Sequence, residues 1–179
     1  MKATGSVRRI DDLGRIVIPK EIRRTMRIRE GDPLEIYTDN DGEVIFKKYS
    51  PIGEMGNIAS QYSEVLYKTS GFPAVICDRD HVIAVSGLPK KELLERRVSP
   101  ALEEMMEMRR SYSSSGGNSA LQPVEGVDRY AVAGAPIIAA GDVCGSVLFL
   151  SGESGALAGE AEMKLIGAAS LFLAKQMEE

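Results

Sequence analysis

The pattern of apolar residues changes near residue 50, and this change divides the chain of 179 residues into two segments. Before it, apolar runs are short and broken by charged residues, which is typical of short strands and turns in a small module. After it, apolar residues recur at steps of three and four along residues 52–69, which predicts an amphipathic helix that ends at Gly71. We therefore expect two domains, residues 1–52 and 53–179.

The first segment is predicted to contain short strands around one short helix. GSVRRIDD and GRIVIP have the composition of two strands joined by a turn at residues 11–14. Pro19 suits the first position of a helix, which would run through KEIRRTMRI with Ile22 and Met26 on one face. LEIYTDNDGEVIFKKY then predicts a hairpin that turns at residues 39–42.

A module of about fifty residues buries little core, and domains this small usually need disulfides, metals or a second copy. The two cysteines, Cys77 and Cys144, and the one histidine, His81, all lie outside it and lack the spacing of a zinc site. We expect neither a metal nor a disulfide. The first segment is therefore predicted to fold only as a dimer.

Charge is distributed unevenly along the chain. The whole chain has a formal net charge of -4, but residues 1–29 contain nine lysines and arginines against three acids. A compact basic end on an acidic body indicates a polyanionic partner at that end, and nucleic acid is the obvious candidate.

The second segment alternates predicted strands and helices. We expect strands in FPAVICDRD, HVIAVSG, ALQPVEG, YAVAGAPIIAA and DVCGSVLFLSG, and helices in KKELLERRV, PALEEMMEMRRS and AEMKLIGAASLFLAKQMEE. SYSSSGGNSA is predicted to be a loop. Together these elements predict an α+β domain, with a central antiparallel sheet and helices on one face.

The two terminal helices of the second segment carry broad apolar stripes. In the last helix the stripe includes Met163, Ile166, Leu171, Phe172 and Leu173, and it is wider than one sheet face requires. Residues 52–70 and 160–177 are therefore predicted to form a bundle with another subunit. Combined with the N-terminal dimer, this contact would give a homotetramer.

The first 51 residues, MKATGSVRRIDDLGRIVIPKEIRRTMRIREGDPLEIYTDNDGEVIFKKYSP, closely resemble the AbrB-type transition-state regulators. The remainder looks like a GAF domain, and the whole chain is similar to sporulation regulators of spore-forming bacilli that combine the two. The resemblance implies a swapped-hairpin dimer that binds double-stranded DNA. It further implies an activator or repressor of sporulation genes in the forespore, associated with the nucleoid, and no cofactor apart from an unidentified small-molecule GAF ligand.

The family's DNA-contacting arginines fall on Arg8, Arg15, Arg23 and Arg24 of this chain. Arginine suits such a contact because its planar fork of donors bridges phosphate oxygens or grips a guanine edge. Four further basic residues are expected to contact phosphates: Lys2, Arg9, Lys20 and Arg27.

Two other classes of function remain as alternatives. Some antitoxins share this DNA-binding fold, although they usually continue into a short disordered tail rather than a globular pattern. A redox enzyme of the GAF type would use cysteines, but Cys77 and Cys144 both sit in apolar strands and are expected to be inert. We therefore expect no enzymatic activity. The chain shows neither a secretory leader nor an apolar run long enough to span a bilayer, so the expected compartment is the cytoplasm.

Overall fold

The computed structural model describes residues 4–116, 119–152 and 154–178. The chain divides into two compact units, Met1–Tyr49 and Ser50–Glu179. Each unit is described by itself below. None of the described helices combines the length and the hydropathy that a membrane span requires.

The described part of the N-terminal unit, residues 4–49, contains one helix and one hairpin. Helix α1 (Lys20–Thr25) forms where it was predicted, but Pro19 is its N-cap rather than its first residue, and the helix ends at Thr25 instead of continuing to Ile28. Strands β1 (Leu34–Thr38) and β2 (Val44–Lys48) pair antiparallel with Ile36 opposite Phe46. The predicted hairpin and its turn at residues 39–42 are therefore confirmed.

The two strands predicted in GSVRRIDD and GRIVIP do not form, because residues 4–18 have no strand pairing in the single chain. The turn between them does form: the N–H of Asp11 donates to the carbonyl of Arg15 and that of Gly14 to the carbonyl of Asp11, both at 3.0 Å. A strand requires a neighbouring strand for its backbone hydrogen bonds. Sequence patterning indicates an apolar extended segment but does not supply that neighbour.

The N-terminal unit has no core of its own. Among residues 4–49 none is buried, and several large apolar side chains are mostly exposed. Val7 is 88% exposed, Ile10 71%, Leu13 70% and Val17 71%. Fifty residues that leave such side chains in water have not gained the burial that stabilises a domain.

The second unit is built on a five-stranded antiparallel sheet with the strand order β4-β3-β7-β6-β5. Its strands are β3 (Ala74–Asp78), β4 (Val82–Ser86), β5 (Tyr112–Ser113), β6 (Ala131–Ala139) and β7 (Asp142–Leu150). Strands β6 and β7 form the predicted hairpin, in which Ala140 and Gly141 both have positive φ. The two long central strands thus come from adjacent parts of the sequence.

Five helices cover the sheet: α2 (Pro51–Glu54), α3 (Gly56–Ser70), α4 (Lys90–Leu93), α5 (Pro100–Glu107) and α6 (Glu160–Glu178). The predicted helix over residues 52–70 is interrupted at Met55, which ends α2 and precedes α3. Gly71 ends α3 with a φ of 76°, a conformation that glycine adopts without a Cβ penalty. Ser99 caps α5 by accepting a hydrogen bond from the N–H of Leu102, as the sequence predicted.

Both faces of the sheet are covered, so the expectation of helices on one face is wrong. Ile76 belongs to a buried cluster with Ile166 and Leu173 of α6. Its neighbour Val75 points to the other side and belongs to a second cluster with Leu102 of α5. Near-continuous apolar strands, rather than alternating ones, are the sequence signal of a sheet buried on both faces. The α+β class itself is confirmed.

Three local predictions for this unit also need correction. ALQPVEG forms no strand beyond an isolated bridge between Val98 and Val124. KKELLERRV is helical only over the one turn of α4, and Glu95 follows with a φ of 63°. The predicted loop SYSSSGGNSA contains β5 and a 3-10 turn at Ser114–Gly116, while residues 117 and 118 lie outside the described residues.

Candidate nucleic-acid interface

The loop between residues 11 and 15 holds one of the predicted DNA-contacting arginines in a defined position. The Oδ1 atom of Asp11 accepts hydrogen bonds from the backbone N–H groups of Leu13 at 3.0 Å and Arg15 at 2.8 Å. Gly14 has a φ of +75°, which most other residues adopt only with strain. The backbone of the loop is thus fixed by its own sequence, Asp-Asp-Leu-Gly-Arg.

The side chain of Arg15 folds back onto this loop. Its Nε lies 2.8 Å from Oδ2 of Asp11, and 70% of the side chain is exposed. The backbone N–H of Arg15, followed by its guanidinium, lowers the pKa of Asp11. The carboxylate is therefore charged at neutral pH, and it occupies only the Nε side of the guanidinium group.

The other predicted arginines lie on helix α1 or in the segment before the loop. Arg23 and Arg24 are exposed in the last turn of α1. Arg8 is exposed in the segment that precedes Asp11. All four arginines carried over by resemblance are thus accessible to solvent in the single chain.

The four additional basic residues have different environments. Arg9 and Lys20 are exposed. Arg27 is half-buried, has a φ of 51°, and its carbonyl accepts a hydrogen bond from Nζ of Lys48 at 3.0 Å. Lys2 lies outside the described residues. Arg9 and Lys20 are therefore more accessible to a phosphate than Arg27.

Asp11 is the residue that sequence reasoning missed. It was assigned only to a turn, whereas the structure shows it in contact with Arg15. The available signal was an aspartate four residues before an arginine across a glycine turn, because such a turn brings its ends together.

The helix pair α3 and α6 exposes apolar side chains in the second unit. Leu171 is 70% exposed, Phe172 41% and Val65 55%. The ring of Phe172 stacks on that of Tyr62 with the centroids 4.9 Å apart. This contact joins the two helices beside the apolar surface that the sequence predicted as a subunit interface.

The second unit also contains a cavity and two free thiols. The cavity has a volume of about 320 Å³ and is lined by uncharged residues, among them Tyr112, Ser114 and Tyr130. Burial raises the pKa of the Cys77 thiol, and burial is also the main cause of a raised pKa at the half-buried Cys144. Both thiols are thus poorer nucleophiles than an exposed cysteine.

Two family models match the chain. Residues 54–178 match the family described as "Stage V sporulation protein T C-terminal, transcription factor". Residues 7–53 match the family described as "Antidote-toxin recognition MazE, bacterial antitoxin".

The proteins and solved structures that are similar to the chain include two proteins of Bacillus subtilis and a GAF domain. Stage V sporulation protein T is 54% identical over 183 residues, which cover 100% of both chains. Transition state regulatory protein AbrB is 61% identical over 51 residues, which cover 28% of this chain and 52% of that protein. A GAF domain from an Acinetobacter phosphoenolpyruvate-protein phosphotransferase covers 69% of this chain and 81% of its own, with a TM-score of 0.55 and 12% identity. The last of these similarities establishes the GAF fold of the second unit.

Proposed function

The chain belongs to the stage V sporulation protein T family, and we propose that it regulates transcription by binding duplex DNA through the exposed arginines of its N-terminal unit. It is a regulator of sporulation genes that combines an AbrB-type domain with a GAF domain. We assign DNA binding to residues 1–52, and sensing or assembly to residues 53–179.

The observation that carries this proposal is the exposure of Arg8, Arg15, Arg23 and Arg24 on a small basic unit. An arginine that is exposed and not buried in a core can reach phosphate oxygens or a guanine edge without any rearrangement of the fold. The 61% identity to AbrB extends over 51 residues, which is about the length of this unit, and this supports an equivalent role.

Assembly completes the proposed DNA-binding unit. Because none of residues 4–49 is buried, a second copy would cover the exposed apolar residues and build the missing core as a swapped-hairpin dimer. The apolar surface of α3 and α6 around Leu171 and Phe172 would join two such dimers into a tetramer.

The proposed place of action is the cytoplasm of the forespore, on the nucleoid. The name of the full-length relative, stage V sporulation protein T, supports a role in sporulation, and the forespore and the nucleoid are what the family resemblance implies. Both activation and repression are compatible with the same DNA-binding site.

Antitoxin and enzyme functions have less support. The antitoxin family model matches residues 7–53, but residues 50–179 form a packed unit around a five-stranded sheet rather than a disordered toxin-binding tail. Thiol chemistry is disfavoured because Cys77 is fully buried and Cys144 half-buried.

The proposal is tested by DNA-binding titrations of the full chain. A labelled duplex is first selected by the wild-type protein from a randomised pool, and its affinity is then measured by fluorescence anisotropy at several salt concentrations. Arg15→Ala and Arg24→Ala should each weaken binding by about tenfold or more, the scale of a lost hydrogen bond to a charged group.

The salt dependence separates phosphate contacts from other effects. Each phosphate contact contributes about -0.9 to the slope of log affinity against log salt, and a dimer loses two contacts per substituted arginine. The matched control is Arg110→Ala, an exposed arginine of the second unit, which should bind like the wild type. Wild-type affinity and slope in both N-terminal variants would contradict the proposed site.

A further inference from the structure

Two loops of the N-terminal unit share one hydrogen-bond pattern. In the first, the N–H of Asp11 donates to the carbonyl of Arg15, and the N–H of Gly14 to the carbonyl of Asp11, both at 3.0 Å. In the second, Asp39 and Glu43 make the equivalent bond at 3.2 Å, and Gly42 and Asp39 the other at 3.3 Å. The sequences are Asp-Asp-Leu-Gly-Arg and Asp-Asn-Asp-Gly-Glu.

The aspartate that opens each loop supports the backbone in the same way. Oδ1 of Asp11 accepts from the third and fifth N–H groups of its loop at 3.0 and 2.8 Å. Oδ1 of Asp39 accepts from the corresponding groups at 3.1 and 2.9 Å. One carboxylate oxygen is therefore sufficient to build this loop, since the second loop forms without an arginine.

The loops differ at their fifth residue, which is an arginine in the first and a glutamate in the second. Of the two side chains, only the arginine can donate a hydrogen bond to the aspartate. Nε of Arg15 donates to Oδ2 of Asp11 at 2.8 Å. This bond is additional to the shared pattern. The backbone pattern of the loop therefore does not require it.

We propose that Asp11 is a positioning residue, which holds the guanidinium of Arg15 through Nε so that the two terminal amino groups are presented to DNA. This role rests on the proposed function. A guanidinium that is held at Nε retains its terminal donors as a fork for phosphate oxygens or a guanine edge. Fixing the side chain before binding removes part of the ordering cost that a mobile arginine pays on association.

Simple electrostatics predicts the opposite change in DNA affinity when Asp11 is neutralised. A negative charge close to a polyanion weakens binding, so neutralising an aspartate beside the DNA site should tighten it. If Asp11 positions Arg15, however, neutralising it frees the arginine and weakens binding. Asp12 is a matched control in the same loop, because it is exposed and carries the same charge one residue away.

The experiment compares Asp11→Asn with Asp12→Asn in the full chain, using the duplex selected by the wild-type protein. Asparagine keeps an Oδ1 acceptor for the loop but loses the charge at Oδ2. Asp11→Asn should weaken binding about threefold to tenfold, the scale of one side chain that must be ordered on binding. Asp12→Asn should bind as tightly as the wild type or more tightly.

Combining Asp11→Asn with Arg15→Ala tests whether Asp11 acts through Arg15 or only supports the loop. In an Arg15→Ala background, Asp11→Asn should no longer weaken binding, because there is no guanidinium left to position. Asp39→Asn makes the same chemical change in the second loop and should leave DNA affinity unchanged. An unchanged or tighter affinity of Asp11→Asn, or a loss that persists without Arg15, would overturn the positioning role.

A measurement on the unaltered protein keeps the test independent of how the variants fold. The Nε–H resonance of Arg15 should shift as Asp11 is protonated in an acid titration, and no shift would overturn the contact. If the wild type binds no DNA, or if Arg15→Ala and Arg24→Ala both bind normally, the proposed function fails as well. Normal binding by Arg15→Ala alone overturns the positioning role, because Arg15 would then make no contact to position. Weak binding by Arg15→Ala beside normal binding by Asp11→Asn overturns the positioning role alone.

Discussion

The apolar face of the β1–β2 hairpin provides a quantitative test of N-terminal assembly. Ile36 and Phe46 are cross-strand partners on this face. In the single chain they are 62% and 38% exposed. A monomer would leave this pair in water, whereas a second copy would bury it.

The cost of Ile36→Ala follows from that exposed fraction. Burying a whole isoleucine side chain contributes about 1.5–3 kcal/mol, so covering the exposed 62% would contribute about 1–2 kcal/mol per copy. A dimer contains two copies, and the substitution should therefore weaken dimerisation by about 2–4 kcal/mol, or roughly 30- to 1,000-fold in the dissociation constant.

Sedimentation of the full chain from nanomolar to micromolar concentration measures this effect. The wild type should be a tetramer, and Ile36→Ala should dissociate to dimers held by the second unit at concentrations where the wild type stays intact. Glu35→Ala changes the opposite face of the same strand and should leave assembly unchanged. If Ile36→Ala assembles like the wild type and unfolds with at most the ~1 kcal/mol change of an exposed strand position, the proposed interface is wrong.

Three substitutions and one chemical modification test the second unit. Leu171→Asp should leave dimers joined by the N-terminal unit, and monomers when combined with the hairpin variant; persistent tetramers would refute the α6 interface. Gly145→Ala should destabilise this unit by about 3 kcal/mol in a thermal melt, because a Cβ would lie 2.0 Å from the carbonyl oxygen of Cys77. Gly167→Ala, where the added Cβ has no atom within 4 Å apart from its chain neighbours and the adjacent backbone of α6, should stabilise α6 by about 0.5–1 kcal/mol, and equal effects at the two glycines would contradict this packing argument. Iodoacetamide at pH 8 should label Cys144 slowly and Cys77 only after unfolding, because burial raises both thiol pKa values, and fast labelling of native Cys77 would restore the enzyme alternative.

Sequence predicted those elements whose signal lies within their own residues. The helical spacing in α3 and α6, the apolar strands β3, β4, β6 and β7, and the turn of the β1–β2 hairpin all formed as expected. ALQPVEG was misassigned because burial alone does not imply a strand. Leu121 and Val124 are buried, but they pack against the sheet from a loop, and periodicity cannot separate the two cases.

The sequence indicated which residues are candidates for the site but not which side chains contact one another. Positive charge and the family resemblance identified Arg15, yet neither indicates that its side chain returns to Asp11 across the loop. That contact depends on the positive φ of Gly14 and on the hydrogen bonds that close the turn. Such geometry emerges only when the backbone is folded, although the repeated Asp-x-x-Gly pattern at Asp39 is visible in the sequence.

The lack of a core and the abundance of exposed arginine in the same unit have a joint consequence. In the proposed dimer, each copy that covers the apolar residues would also bring its own Arg8, Arg15, Arg23 and Arg24, so dimerisation would double the number of donors available to DNA. Two linked sets bind more tightly than the sum of separate contacts, because the second engages at a high effective concentration. DNA binding and the proposed dimerisation would then be linked by mass action, and DNA would in turn stabilise the dimer. Ile36→Ala should therefore weaken DNA binding at low protein concentration although it alters no arginine, and added protein should restore that binding.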